Sequence, residues 1–162
     1  MSKEWEPLGL TGYYDTFGPE LSFASSIAGK GKGNIAIAKF THSGSQIIDW
    51  TPEGSMAKSR HLYPRFIQFV KDSISELSAK GHQVEIEGIF YHVGENDMSF
   101  HPYRKEAAAR VQTIINQSRK DLAQPKLRWF VSQQSPTDVE RLNNLDIVSD
   151  MAKVAAVDPD FI

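Results

Sequence analysis

Three polar stretches of the sequence hold the side chains that could bind or transform a ligand. They cover residues 41–50, 92–101 and 132–138, and they are rich in histidine, glycine, amide and carboxylate groups. Acyl transfer by serine needs a hydroxyl, a base within hydrogen-bond reach and a third group that orients the base. Amides and carboxylates also bind hydroxyl groups. The stretches therefore favour a polar, hydroxyl-rich ligand such as a carbohydrate.

A serine triad can be assembled from the first two stretches. Ser43 or Ser45 supplies the hydroxyl, His92 the base and Glu95 the orienting carboxylate. However, neither serine lies in a Gly-x-Ser-x-Gly elbow or a Gly-Asp-Ser turn, the settings that expose and strain a nucleophile. Structural roles are equally open, because a loop histidine is often simply solvated and Glu95 or Asp97 can cap a helix.

The sequence offers little for metal or thiol chemistry. It contains no cysteine, which excludes disulfides, thiolate metal sites and a cysteine nucleophile. His92 and His101 are nine residues apart, and no His-Glu-x-x-His pair is present. We therefore expect no metal and no organic cofactor.

The composition is that of one globular domain. The 162 residues are 40% apolar and 23% charged, and the formal net charge is -2. Because Lys and Arg are scattered, we expect no basic face and no nucleic-acid partner. No apolar run approaches the roughly 18 residues of a membrane span, so no membrane partner is expected. The first ten residues lack the apolar stretch of a signal peptide, and the compartment stays unknown.

Short apolar runs predict the strands. Three runs are rich in β-branched or aromatic side chains and are bounded by polar or turn residues, namely residues 34–40, 84–91 and 127–131. Such runs are typical of buried strands.

Amphipathic stretches predict the helices between them. An opening proline or a stripe of apolar residues indicates helices over residues 19–28, 63–80 and 105–122. Gly81 should end the second of these in a left-handed conformation. A further helix should begin near Pro136, with Ser135 as its cap, and continue through residues 139–142.

This alternation of helices and strands is typical of a parallel sheet covered on both faces. In such sheets, ligands bind beyond the carboxyl ends of the strands, where the three polar stretches lie. The first thirty residues are loop and helix where a strand is expected, and the last residues look like the beginning of another segment. We therefore expect a single domain over residues 1–162 that is cut at both ends.

Four blocks of the sequence resemble one esterase family. They are GPELSFA (18–24), KFTHSGSQIIDW (39–50), GIFYHVGEND (88–97) and the strand at 127–133. Together they resemble the sialate O-acetylesterase and acetylxylan esterase family of carbohydrate esterases, a branch of the SGNH hydrolases. The third block is the most specific, since the family usually has Gly-x-x-Trp-His-Gln-Gly-Glu-Ser-Asp there.

The resemblance implies a fold, a reaction and a site. The fold would be a three-layer α/β/α sandwich with a short parallel sheet, of the flavodoxin-like SGNH type. The reaction would be hydrolysis of an acetylated carbohydrate by serine acyl transfer. The backbone N–H of Gly44 would contribute to the oxyanion hole, and Asp97 would have a structural role. Five side chains would shape the substrate site: Ser43, Ser45, His92, Glu95 and Asn96.

The chain also departs from the family pattern. The nucleophile's Gly-Gln-Ser-Asn turn does not occur in it. The catalytic base belongs to an Asp-x-x-His motif, so Asp160 would be its aspartate only if a histidine followed. The usual glutamine of the third block is Val93, Tyr91 stands for tryptophan and Asn96 for serine. Loss of one oxyanion donor typically lowers the rate about a hundredfold or more.

Two alternatives to an esterase follow from these departures. Val93 and the absent blocks favour a catalytically inactive, carbohydrate-binding pseudoenzyme. An interaction domain, completed by a partner chain at an open sheet edge, is the second alternative, and it predicts an oligomer in solution.

Overall fold

The chain divides into two compact units, residues 1–39 and 40–162. The computed structural model describes residues 5, 7, 18–30, 33–132 and 145–162. In the first unit, helix α1 (Glu20–Ile27) follows Pro19, whose φ of -62° suits a helix start. The helix predicted over residues 19–28 is thereby confirmed. Glu20 accepts a hydrogen bond from Lys39 Nζ at 2.8 Å.

The predicted first strand, residues 34–40, is wrong. These residues are extended but belong to no strand, and in the described part of the chain their backbone makes no hydrogen bond. Ile35 is 47% exposed, and most of its neighbours are exposed as well. A strand is stabilised by pairing with another strand, which an apolar run in the sequence cannot guarantee.

Two long helices of the second unit match their predictions. Helix α2 covers Tyr63–Ala79, and helix α4 covers His101–Asp121. Each has a proline in its first turn and an apolar stripe directed to the core. Gly81 has a φ of +86°, as expected for the left-handed stop of α2. None of the helices in the described part of the chain is long and apolar enough to cross a bilayer.

Two further helices were not predicted. Helix α3 (Glu95–Met98) is a single turn, and helix α5 covers Leu145–Val157. The helix expected from Pro136 lies outside the described residues. A single turn is too short to produce a recognisable apolar stripe.

The sheet is parallel and has two strands. Strand β1 (Ile89–Tyr91) pairs with strand β2 (Trp129–Val131), with Ile89 opposite Trp129. Both strands are shorter than the predicted 84–91 and 127–131. Phe161 forms a parallel bridge on the other side of Trp129. The fold is therefore α/β, and the segments after β1 and β2 begin at the same end of the sheet.

The core of the second unit lies between the sheet, α2 and α4. Its aromatic centre includes Trp50, Phe66, Tyr91 and Trp129, whose rings contact one another edge-on or tilted at centroid distances of 5.8–6.4 Å. The largest buried apolar side chains are Trp129, Ile47, Leu62, Ile114, Ile115 and Val111. This packing fixes both the end of β1 and the segment around Ile47, which carry the site.

Candidate functional site

A histidine, a serine and a glutamate meet at the carboxyl ends of the two strands. His92 Nδ1 lies 2.7 Å from Ser132 Oγ, and His92 Nε2 lies 3.5 Å from Glu95 Oε1. We call His92, Glu95 and Ser132 the histidine group. The imidazole has an exposed fraction of 69% and the Glu95 side chain one of 60%, so a ligand from solvent can reach them. Parallel pairing creates this meeting, because His92 directly follows β1 and Ser132 directly follows β2.

The histidine group has the connectivity of a serine triad. With the proton on Nε2, His92 accepts the Ser132 O–H at Nδ1 and donates toward Glu95. The Ser132 hydroxyl also lies 3.4 Å from the Tyr91 carbonyl, a long distance for a hydrogen bond. Ser132 was not among the predicted site residues. Its position immediately after a predicted strand was the available signal.

The turn at Ser43, Gly44 and Ser45 presents a backbone donor. Gly44 has a φ of +66°, a conformation that glycine adopts without strain. Its carbonyl accepts a hydrogen bond from the guanidinium of Arg60. Its N–H has no acceptor among the described residues, so it can donate to a ligand. The Ser43 side chain is exposed.

Two buried carboxylates hold the segment that follows this turn. Asp97, whose exposed fraction is 0%, accepts a hydrogen bond at Oδ2 from the Ile47 N–H at 3.0 Å. Asp49, at 2%, accepts one at Oδ2 from the Gln46 N–H at 2.9 Å and lies 3.4 Å from Arg60 Nε. We call Asp49 and Asp97 the buried anchors.

Burial controls the ionisation of this region. It raises the pKa of Asp97 above the usual value, while the Ile47 N–H and Arg110 act in the opposite direction. Burial, assisted by the carboxylates of Asp97 and Asp49, also raises the pKa of Tyr91 well above its usual value. Within the described residues, Asp97 Oδ1 and the Tyr91 hydroxyl are buried without a hydrogen-bond partner. Tyr91 therefore stays protonated.

The structure connects most of the predicted site residues. Asn96 Nδ2 lies 3.4 Å from the Ser45 carbonyl, so the stretch after β1 touches the Gly44 turn. Ser45 is itself buried, and its hydroxyl accepts a hydrogen bond from Trp50 Nε1 at 3.0 Å. That hydroxyl is engaged in the core, and the exposed Ser43 is the serine of this turn that a ligand can reach.

Asp160 lies at the other end of the sheet. Its carbonyl accepts a hydrogen bond from the Trp129 N–H at 2.8 Å, one residue before the Phe161 bridge. In this register Asp160 is level with Gly88, four residues before His92, or about 13 Å along a strand. The structure does not bring Asp160 to the histidine group.

Val93 cannot replace the hydrogen-bond donor that the family usually has at this position. Its side chain is partly buried and packs against the apolar core. An isopropyl group cannot donate a hydrogen bond, so any second oxyanion donor must come from elsewhere in the site. Among the described residues, no group of three or more His, Asp or Glu is placed to hold a metal ion.

One known protein family matches the chain. A family model described as carbohydrate esterase, sialic acid-specific acetylesterase, matches residues 2–160. No curated protein matches the chain, and neither does any solved structure. Since the match covers nearly the whole sequence, the chain belongs to this family of carbohydrate esterases.

Proposed function

We propose that the chain hydrolyses O-acetyl esters of carbohydrates by serine acyl transfer, within a three-layer α/β/α fold of the SGNH type. One observation carries the proposal, the 2.7 Å contact between His92 Nδ1 and Ser132 Oγ at the carboxyl end of a parallel sheet. A hydroxyl bound to an accessible imidazole is the arrangement that lets serine lose its proton as it attacks. Membership of a carbohydrate esterase family supports the substrate class.

The reaction follows from the histidine group. Ser132 Oγ attacks the acetyl carbon, and His92 Nδ1 takes the hydroxyl proton. Glu95 stabilises the resulting imidazolium, and the Gly44 N–H donates to the oxyanion. The intermediate collapses to an acetyl-serine as the sugar oxygen leaves with the proton from His92. Water then attacks the acetyl-serine by the same route, which releases acetate and restores Ser132.

The surroundings of the histidine group suit a carbohydrate. Ser43, Asn96 and Glu95 present exposed hydroxyl, amide and carboxylate groups, and sugar hydroxyls can both donate to and accept from such a set.

The first test is hydrolysis of p-nitrophenyl acetate and of acetylated sugars by the purified chain. We expect turnover that Ser132→Ala lowers about a thousandfold or more, because loss of a nucleophile leaves only binding and electrostatic effects. Ser78→Ala, at an exposed position near the end of α2, is the matched control and should leave the rate unchanged. Equal rates for Ser132→Ala and the unsubstituted chain would refute Ser132 as the nucleophile.

Val93 favours a second candidate, a carbohydrate-binding protein without catalysis. It lacks the donor that the family usually has at this position, and its side chain packs on the core. Binding of an acetylated sugar in calorimetry, with no acetate released over many hours, would favour this candidate over the esterase.

A further inference from the structure

We propose that Asp97 is a positioning residue, which holds the Gly44 turn in place through the Ile47 N–H and so aims the Gly44 N–H at the oxyanion. This inference rests on the proposed function, because it concerns the same oxyanion hole. Asp97 does not reach the substrate. It is fully buried, and its effect on the reaction passes through the backbone that it binds.

The turn is held by one polar contact at each successive residue. Arg60 binds the Gly44 carbonyl, and Asn96 lies within 3.4 Å of the Ser45 carbonyl. The next two contacts are made by the buried anchors, Asp49 at the Gln46 N–H and Asp97 at the Ile47 N–H. These contacts lie on three consecutive peptide units, from Gly44–Ser45 to Gln46–Ile47, and the first of them is joined at the Gly44 Cα to the unit that carries the Gly44 N–H. They therefore restrict the rotation of the turn about Gly44.

Helix α3 provides two of these four contacts. Asn96 and Asp97 are adjacent in it, and they bind the Ser45 carbonyl and the Ile47 N–H on either side of Gln46. Of the two contacts, that of Asp97 is the shorter, at 3.0 Å, and it lies between buried residues. Asp97 therefore supplies the firmer link between α3 and the turn.

A buried aspartate is an unfavourable residue for a position that only has to be filled, because burial removes the hydration of its carboxylate. A buried carboxylate must be well hydrogen-bonded to offset its lost hydration. Within the described residues Oδ2 has the Ile47 N–H, whereas Oδ1 has no partner. An incompletely satisfied buried charge calls for an explanation other than stability. Preorganisation provides one, because an oxyanion donor is effective only when its direction is fixed before the reaction.

The test compares Asp97→Ala with Asp97→Asn. Alanine removes the acceptor of the Ile47 N–H, and we expect kcat to fall about tenfold to a hundredfold with KM changed less than about twofold. Asparagine keeps an oxygen acceptor of the same shape, so kcat should stay within about threefold of the unsubstituted value. A space-filling role predicts a lower melting temperature without this split between kcat and KM. Unchanged kcat in the folded alanine variant, or equal losses in both variants, would overturn the inference.

A second readout separates this inference from the proposed function. In two-dimensional amide NMR, Asp97→Ala should shift the Gly44 and Ile47 signals, while Asp97→Asn should shift them much less. If the unsubstituted chain hydrolyses no ester, the proposed function fails, and the Gly44 signal alone decides the positioning role. A shift at Ile47 with none at Gly44 would overturn it. If the alanine variant does not fold, Asp97→Ser, with a shorter acceptor, replaces it in both measurements.

Discussion

The histidine group and the buried anchors are both polar, yet their environments are opposite. His92 and Glu95 are mostly exposed and 3.5 Å apart, a polar contact that water weakens. Asp49 and Asp97 are almost completely buried and bind backbone N–H groups at 2.9 and 3.0 Å. The first group is open to a ligand and contributes little to folding. The second is closed to a ligand and expensive to disturb.

In the proposed reaction, the exposed and the buried side chains have different roles. The exposed side chains act on the substrate, and the buried side chains beneath them fix the geometry of the site. The two sets meet in residues 92–97, where His92 and Glu95 face solvent while Asp97 holds Ile47. Substitutions in the histidine group should therefore change rate without stability, and substitutions in the buried anchors should change stability.

The largest expected effect is that of His92→Ala on ester hydrolysis. Without a general base the rate should fall about a hundredfold to ten-thousandfold. The free energy of unfolding should change by less than about 0.5 kcal/mol, because the side chain is exposed. Hydrolysis of p-nitrophenyl acetate and urea denaturation measure the two quantities. A stability loss that accounts for the lost activity would erase the distinction between the two groups.

Asp49→Ala should give the opposite result. It removes the acceptor of the Gln46 N–H and leaves Arg60 Nε buried without its 3.4 Å ion-pair partner. We expect the free energy of unfolding to fall by about 3 kcal/mol in urea denaturation. Glu95→Ala, at an exposed carboxylate, is the matched control and should cost less than about 0.5 kcal/mol. Similar losses of stability in both variants would contradict the expected difference between the buried anchors and the histidine group.

The ion pair of Arg119 and Asp158 is intermediate in burial between the histidine group and the buried anchors. Its contribution to stability can be measured through its pH dependence. The partly buried pair makes two hydrogen bonds, at 2.5 and 3.2 Å, and the Arg119 guanidinium lowers the pKa of Asp158 below its usual 3.8. A lowered folded pKa contributes stability above the unfolded value, which is lost as pH falls through the folded one.

Asp158→Asn should therefore lower the free energy of unfolding by about 1 to 2 kcal/mol at neutral pH. The difference should shrink below pH 3.8. Urea denaturation of both proteins between pH 7 and pH 2.5 measures it, with Asp150→Asn, in a more exposed pair with Lys153, as the control. A difference that stays constant with pH would mean that the ion pair is not its source.

The sequence could predict those parts of the fold that depend on local patterns. Helices α2 and α4 have apolar stripes and an opening proline, so their positions follow from the residues themselves. The strand expected at 34–40 did not form, because a strand needs a neighbour that local pattern does not specify. The short helix α3 carries no stripe to recognise.

The candidate site was predictable only where topology follows from the sequence. Parallel strands bring their carboxyl ends together, and His92 lies there directly after β1, with Glu95 at the start of α3. The contact of Asp97 with Ile47 joins residues fifty positions apart, and no spacing rule predicts it. Ser132 was not predicted, because the sequence around it does not match the family's nucleophile turn. Asp160 was chosen by motif, and the strand register then put it at the other end of the sheet.

Active-site labelling can show whether Ser132 is a nucleophile that His92 activates. The purified chain is treated with a serine-directed fluorophosphonate, digested and mapped by mass spectrometry, beside the His92→Ala variant. We expect a single modified serine, Ser132, and little modification when His92 is absent, because the imidazole activates the hydroxyl. Modification of another serine, equal labelling in the variant, or no labelling of the unsubstituted chain would contradict it.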